Sequence, residues 1–442
     1  MDKNLLTVNE LVFIGVGGIL GAGFFLASGI AIHTAGPIVI LDYILSSFIM
    51  SQVFYSLSKM IIFKPVEGSF RVYANEALGD LGGFMSGWVY WTAGVFIMSS
   101  EVTASAIFTK FWFEDIPLWI FALLYSGLVI TINIMGTKNF GKIESLFSII
   151  KITALSLIVL IGILIILGFK MKMPAASIKN LYVYGGFAPH GIKGFLGAML
   201  MSLIPFGGIE VVAMSAVKTK NPEKYTPIAV KYIIILLTTL YISSISILLI
   251  IVPWESISIK ESPFIKLLSF IEIPYIASIM NFVILTSALT TMNGAMYAVT
   301  QVLYSLGKGR FAPSFLTVKT KRDVPLYALF LSSTGLLIAI ILSYILPKDV
   351  YEYITSATGF IQFFNWIIIL YTFIKYKPKM NYSTSSFMQW ITIFLIGIVL
   401  FSSVFVPKQA IGFFGGLLIL IFLILAYFIA NKLDLFNKWQ KN

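Results

Sequence analysis

Three ionisable side chains lie inside long apolar stretches of this 442-residue chain. Glu101 sits in FIMSSEVTASAIF, Lys151 in ESLFSIIKITALSLIVL and Glu210 in PFGGIEVV. A charge at the centre of a bilayer costs about 3 kcal/mol or more, so such residues are functional hypotheses by default. Two kinds of chemistry fit them: holding open backbone groups, and taking up and releasing a proton. Lys151 stands about two turns into its stretch, and its structural alternative is a stem that snorkels to the nearer face. Glu210 can cap unwound backbone or exchange protons, with capping the preferred reading. Glu101 follows Trp88 by thirteen residues, about 20 Å along a helix. That height can put it above Lys151, so direct pairing is not assumed; it could face an outer vestibule or attract a cationic substrate. Thr290, Thr291 and Asn293 in TSALTTMNGAM could add hydroxyls and an amide, although a threonine in a span commonly bonds its own helix backbone.

Two further segments could bind a ligand through the main chain. GVGGILGAGFF, from Gly15 to Phe25, holds five glycines in eleven residues inside an apolar run. SLIPFGGIEVVAMSA, from Ser202 to Ala216, combines Pro205 with Gly207 and Gly208. Glycine is about 1 kcal/mol worse than alanine in a helix, and proline about 3 kcal/mol worse, so both segments predict helices broken near mid-span. A broken helix leaves N–H and C=O groups open, which hydrocarbon tolerates only where they line a cavity. The half-helix starting at the break suits a carboxylate. The half-helix ending there offers carbonyls to an ammonium or a cation. Gly17 and Gly21 also match the small-residue spacing of close helix packing, and both roles can coexist: Gly15 and Gly18 packing, Gly21 to Gly23 unwound.

Composition sets the scene for these residues. The chain is 58% hydrophobic and only 11% charged, with a mean hydropathy of +0.94, where soluble domains carry about 25% charged residues. It reads as a polytopic, all-helical membrane protein. The absence of cysteine excludes disulfides and thiol chemistry. Two histidines, His33 and His190, argue against a histidine-rich metal site; no metal or cofactor is expected. The net charge of +12 lies in short loops, which speaks for membrane orientation rather than nucleic acid. The first apolar run has no clustered basic region before it and no cleavage site after it, and is expected to be a retained helix.

About 20 apolar residues cross a bilayer, which gives twelve expected spans near 10–34, 38–62, 83–108, 117–136, 144–169, 193–217, 229–253, 272–306, 326–346, 351–375, 387–406 and 410–431. Loops after even-numbered spans hold sixteen Lys and Arg, including Lys138 and Lys142; those after odd-numbered spans hold nine, including Lys170, Lys172, Lys260 and Lys348. The positive-inside rule then puts both termini in the cytoplasm of a multi-pass cell-membrane protein. The two breaks fall in spans 1 and 6. Five crossings is an odd number, so a five-span repeat restarts from the opposite face. Breaks at matching positions of inverted repeats point to a secondary-transporter site. The expected units are 1–175, 176–380 and a peripheral pair of helices in 381–442. A channel would want a filter or a ring of charge, a pump a GxxxxGK[ST] loop, and an enzyme a catalytic constellation; none is present in the sequence.

These segments carry a family likeness. GVGGILGAGFF resembles the helix 1 signature of permeases in the amino acid–polyamine–organocation superfamily, and FGGIEVVAMSAVKTKNPEK resembles their helix 6 with the basic segment after it. PVEGSFRVYANEALGDLGGFMSGWVYW, from Pro65, is similar to their loop between helices 2 and 3. NGAMYAVTQVLYSLGKGRFAPSFL, from Asn293, is similar to their helix 8 region. The likeness covers residues 8 to 330. Departures are mild: Phe24-Phe25 stands for a commoner Ile-Phe pair, and EGSFRVY for a Gly-Gly-Ser-Tyr pattern. The resemblance implies a five-plus-five inverted-repeat, leucine-transporter-like fold and a substrate site between helices 1, 3, 6, 8 and 10. It implies that an α-carboxylate meets the amides of Gly21, Ala22 and Gly23. The ammonium would meet carbonyls near Ile19, Phe206 and Ile209, with Gly207 and Gly208 in the same binding segment and Phe206 as an aromatic lid. Lys151 would hold the unwound part of helix 1 where related transporters place sodium, which favours proton coupling or exchange over sodium coupling. The function implied is secondary transport of an amino acid by proton symport, with exchange, or carriage of polyamines and other organic amines, as alternatives.

Overall fold

The structure, a computed structural model, describes residues 6–136, 140–168, 176–259, 261–269, 275–346 and 350–441. Lys138, Lys170, Lys172, Lys260 and Lys348 of the loop-charge count lie outside these residues. In chain order the helices are α1 (Val8–Ile19), α2 (Ser28–Ala35), α3 (Val39–Phe63), α4 (Ser69–Thr109), α5 (Leu118–Ile134), α6 (Phe140–Ile166), α7 (Gly191–Leu203) and α8 (Ile209–Ala216). They continue with α9 (Pro222–Ile251), α10 (Pro263–Ser269), α11 (Ile276–Lys308), α12 (Leu326–Ile345), α13 (Val350–Tyr376), α14 (Phe387–Ser402), α15 (Pro407–Lys432) and α16 (Leu435–Lys441). Ten helical stretches are long and apolar enough to cross a membrane; Val8–Ile19 and Leu118–Ile134 are apolar but shorter.

Local chemistry sets the ends of these helices. Thr7 and Glu10 form a reciprocal capping box that starts α1. Asn221 caps α9, with Pro222 at its first position. Gly36, at φ +72°, turns the chain between α2 and α3. The expected span 10–34 is not one helix: α1 stops at Ile19, a five-residue π-helical turn follows over Gly23–Ala27, and α2 continues from Ser28. The segment from Pro65, expected as a loop, turns helical at Ser69. There Phe70, Tyr73 and Ala74 share one buried face. Gly79, at φ +75°, then redirects α4 into its long apolar run.

Packing places α1 against α6, α8, α9 and α11, while α4 lies along α11 and α13. The two breaks therefore sit at the centre of the bundle, walled by α4, α11 and α13. The outer surface is apolar over α5, α6, α12 and α15, with Leu124, Leu157, Leu337 and Leu418 exposed. An apolar belt of this extent suits lipid rather than water, and the chain is a multi-pass membrane protein.

Candidate functional site

The first break opens at Leu20. The Gly21 amide folds back onto the Ile19 carbonyl at 2.9 Å, and the helix resumes as the wider turn at Gly23. The carbonyls left behind have partners from two other helices. Lys151 Nζ, fully buried on α6, donates to Gly17 O at 2.9 Å and to Leu20 O at 3.1 Å. On α11, Ser287 Oγ donates to Leu20 O at 2.7 Å and Thr291 Oγ1 to Gly17 O at 3.0 Å. The ammonium thus ties the end of α1 to α6 in a place where open carbonyls would otherwise be costly.

The amide side of the break is also occupied. Ala22 N–H donates to Glu101 Oε2 at 3.0 Å. Gly21 makes this approach possible, because a Cβ there would fall 2.4 Å from Glu101 Oε1 and 2.9 Å from Thr291. Glu101 therefore reaches the break itself instead of facing an outer vestibule. A second acid joins the α6 face. Glu144, seven residues before Lys151, is buried, and among the described residues its Oε1 has no hydrogen-bond partner. A Cβ on Gly17 would fall 2.5 Å from that oxygen. Glu144 was missed in the sequence, although its i, i+7 spacing to Lys151 puts both on one helix face.

The second break follows from proline and glycine. Pro205 supplies no N–H, Gly207 is extended, and Gly208 sits at φ +101°, open to glycine but not to residues with a Cβ. A Cβ on Gly208 would lie 2.6 Å from Gly18 O, so the two breaks touch backbone to backbone. Glu210, in the first turn of α8, turns one oxygen to α13. Its Oε1 accepts from Gln362 Nε2 at 2.8 Å, Asn365 Nδ2 at 3.0 Å and Trp366 Nε1 at 3.1 Å. These donors recur at i, i+3 and i+4 on α13, so one helix face converges on one oxygen. A glutamine and an asparagine three apart in an otherwise apolar span were the available signal.

Between the breaks lies a cavity of about 30 Å³, lined by Gly18, Ile19, Gly23, Glu101, Gly207 and Thr291 among others. That is room for a few waters, much less than the cavities on either side. A cavity of about 1300 Å³ opens at the α2 end of the bundle, and one of about 310 Å³ lies at the face where α1 begins. Of the expected binding residues, Ile19, Gly23 and Gly207 line the central cavity, whereas Gly21, Ala22, Gly208 and Ile209 stand behind it. The expected lid is elsewhere: Phe206 is fully buried, with its ring 4.9 Å from Tyr241 and 6.4 Å from Tyr43, and it does not line the cavity. The Tyr241 hydroxyl bonds Pro205 O at 3.0 Å and fixes that aromatic cluster to the break. On α11, Thr291 alone of the three expected contributors reaches the site. Thr290 bonds its own helix at Thr286 and Ser287, and Asn293 accepts from Asn133 on α5 at 2.7 Å.

Sequence comparison places the chain in a family. The chain is 33% identical over 404 residues to amino-acid permease AapA of Bacillus subtilis, covering 87% of each protein. It is 31% identical over 417 residues to the gamma-aminobutyric acid permease of the same organism, covering 92% of this chain and 89% of that one. It is 30% identical over 422 residues to the aromatic amino acid transport protein AroP of Escherichia coli O6:H1, covering 93% and 92%. The sequence profile described as amino acid permease matches residues 10–439, and the chain belongs to that family.

Proposed function

We propose that this permease carries its amino acid as a proton-coupled symporter, working by alternating access around the two helix breaks. The observation that carries the reading is the contact of Glu101 Oε2 with the Ala22 amide at 3.0 Å. The α-carboxylate of a substrate is to use the same amides, at Gly21, Ala22 and Gly23, so substrate and Glu101 compete for one seat. A protonated carboxyl releases an amide more readily than a carboxylate, whose charge-assisted hydrogen bond is about twice as strong. Proton uptake by Glu101 then opens the seat, and substrate entry holds it open. Carbonyls near Ile19, and in the second break around Phe206 and Ile209, are to receive the ammonium. Lys151, bonded to Gly17 O and Leu20 O, takes the place of a bound sodium ion and transmits the charge state of α6 to α1.

The architecture behind this reading has twelve crossings. Val8–Ile19 and Gly23–Ala35 together make the first, and α7 with α8 the sixth. Residues 1–175 and 176–380 form inverted halves, 381–442 is peripheral, and both termini are cytoplasmic. Support comes from the paired breaks and from the larger cavities on either side of the small central one. The test is uptake into proteoliposomes of a panel of labelled amino acids, including γ-aminobutyrate and aromatic residues, under proton, sodium or counter-substrate gradients. Concentrative uptake on a proton gradient supports symport. Transport only against internal substrate makes the protein an exchanger, and uptake driven by sodium alone overturns the role given to Lys151.

One observation favours a second reading. Because Glu101 already satisfies the Ala22 amide, an organic amine without a carboxylate could sit beside Glu101 and leave that contact intact. A diamine in the same panel, taken up faster than any amino acid, selects this alternative.

A further inference from the structure

The cavity at the face where α1 begins lies between α4, α8 and α11 and is lined by Arg71, Lys218 and Lys308, with Glu67 as the one carboxylate in its wall. Arg71 is only 6% exposed. Its Nε donates to Ser305 Oγ at 2.7 Å, its guanidinium lies 6.0 Å over the Phe311 ring, and among the described residues its two Nη groups have no hydrogen-bond partner. Among the described residues no carboxylate is within ion-pair distance of Arg71, Lys218 or Lys308. A buried guanidinium whose fork is unspent is the side chain best matched to a carboxylate, which it can hold through two parallel N–H···O bonds.

The position of the cavity connects it to the central site. Tyr297 and Gln301 in its wall follow Thr291 of the first break on the same helix, about 9 and 15 Å along it. Lys218 stands eight residues beyond Glu210, about 12 Å on. Gly68, at φ +88° and with no room for a Cβ against Ser305, pins the start of α4 to α11 and so fixes Arg71 in the wall. Arg71, Met214 and Ser305 are buried within the bundle rather than on the lipid-facing belt, and the volume of about 310 Å³ suits a small zwitterion.

We propose that this cavity is a carboxylate station on the permeation path, which holds the α-carboxylate of the amino acid between the central site and the aqueous face where α1 begins. The proposal rests on the amino acid transport reading and adds a binding site outside the two breaks. Arg71 supplies the bidentate contact, and Lys218 and Lys308 supply attraction at the mouth. Glu67, four residues before Arg71 in the same wall, repels the carboxylate from its own end of the cavity.

Two measurements on the full-length protein in liposomes of zwitterionic lipid test it. The first compares the apparent affinity for labelled amino acid presented from each face, in the wild type and in Lys218→Gln combined with Lys308→Gln, which leaves the buried Arg71 untouched. The expected result is an affinity weaker by about tenfold from the α1 face, from the loss of two attracting charges at the mouth, with roughly unchanged affinity from the other face. Equal changes from both faces, or none, overturn the station. The second follows acylation of Lys218 and Lys308 by mass spectrometry, with propionate or its neutral analogue propionamide as the probe and Lys231 as the reference. Protection by propionate alone supports the station; equal protection by both, or none, overturns it. If the wild type carries no amino acid, the transport reading fails, and the acylation result still decides whether the cavity takes a carboxylate.

Discussion

Glu101 on α4 reaches across to the opening of the first helix break and accepts the Ala22 N–H at 3.0 Å, 79 residues away in the chain. The contact puts a titratable group on the main-chain donor that a substrate carboxylate would use. On the other side of the same break, Lys151 donates to Gly17 O and Leu20 O. Both sides of the break are thus held by ionisable side chains, one of each sign, from two different helices. Any change in the charge of either group changes how firmly the break is held.

Glu101→Gln separates these roles. A glutamine carbonyl can still accept from Ala22, so the fold is retained, but the side chain no longer carries charge or a dissociable proton. Substrate exchange across the membrane is expected to persist, while accumulation driven by a proton gradient falls to the level without a gradient. The check is uptake against counterflow in the same proteoliposome preparation. Undiminished accumulation in the glutamine variant would remove Glu101 from coupling.

Lys151→Ala is expected to abolish accumulation and also to destabilise the protein. It removes a donor shared by two carbonyls and leaves Glu144 and Glu101 buried near an emptied position. Breaking a buried charge cluster by deleting one partner typically costs about 3–5 kcal/mol. If the acids are the cause, adding Glu144→Gln to Lys151→Ala recovers part of the loss. Thermal unfolding of the two single variants and the double variant in detergent measures this, and strictly additive losses would rule the coupling out.

Much of this arrangement was legible in the sequence, and the reasons are particular. The cost of glycine and proline in an apolar helix marked both breaks, and the rarity of charge in such stretches marked Glu101, Lys151 and Glu210. Partners were harder to read. Whether Glu101 meets Ala22 depends on how α4 is rotated and how deep it sits, which a linear spacing does not specify. The packing of the aromatic at the second break was unreadable for a similar reason. The Phe206 ring, in the 3-10 turn over Ile204–Phe206, packs 4.9 Å from Tyr241, and a sequence of 38 phenylalanines carries no sign of that packing. Glu144 and the Gln362–Asn365–Trp366 face were visible as polar residues at helical spacing, but only their targets gave them meaning.

Phe206→Leu tests that packing. With the ring packed against Tyr43 and Tyr241, shortening it removes aromatic contacts and leaves a partial cavity, a loss of about 1–3 kcal/mol in stability. The apparent affinity for substrate is expected to stay within about twofold of the wild type, because the ring is not part of the cavity wall. Thermal unfolding together with the concentration dependence of uptake resolves the two effects. A large loss of affinity with unchanged stability would put Phe206 over the substrate in the working cycle.

Gly208→Ala tests the meeting of the two breaks. Gly208 combines a left-handed φ of +101° with a Cβ position 2.6 Å from Gly18 O, a backbone atom that cannot step aside without moving α1. Gly186 offers the comparison, since its φ is +85° but nothing lies within 4 Å of an added Cβ. Gly186→Ala incurs only the left-handed strain, about 1–2 kcal/mol. Gly208→Ala adds a steric clash between main chains, and the total is expected to exceed that strain by about 2 kcal/mol, in the range of an overpacked core. The shift in unfolding temperature of the two variants measures the difference directly. Because the clash pushes α1 and α8 apart at the site, Gly208→Ala should also lose uptake, whereas Gly186→Ala should keep it. Equal behaviour of the two would mean that the breaks do not bear on each other.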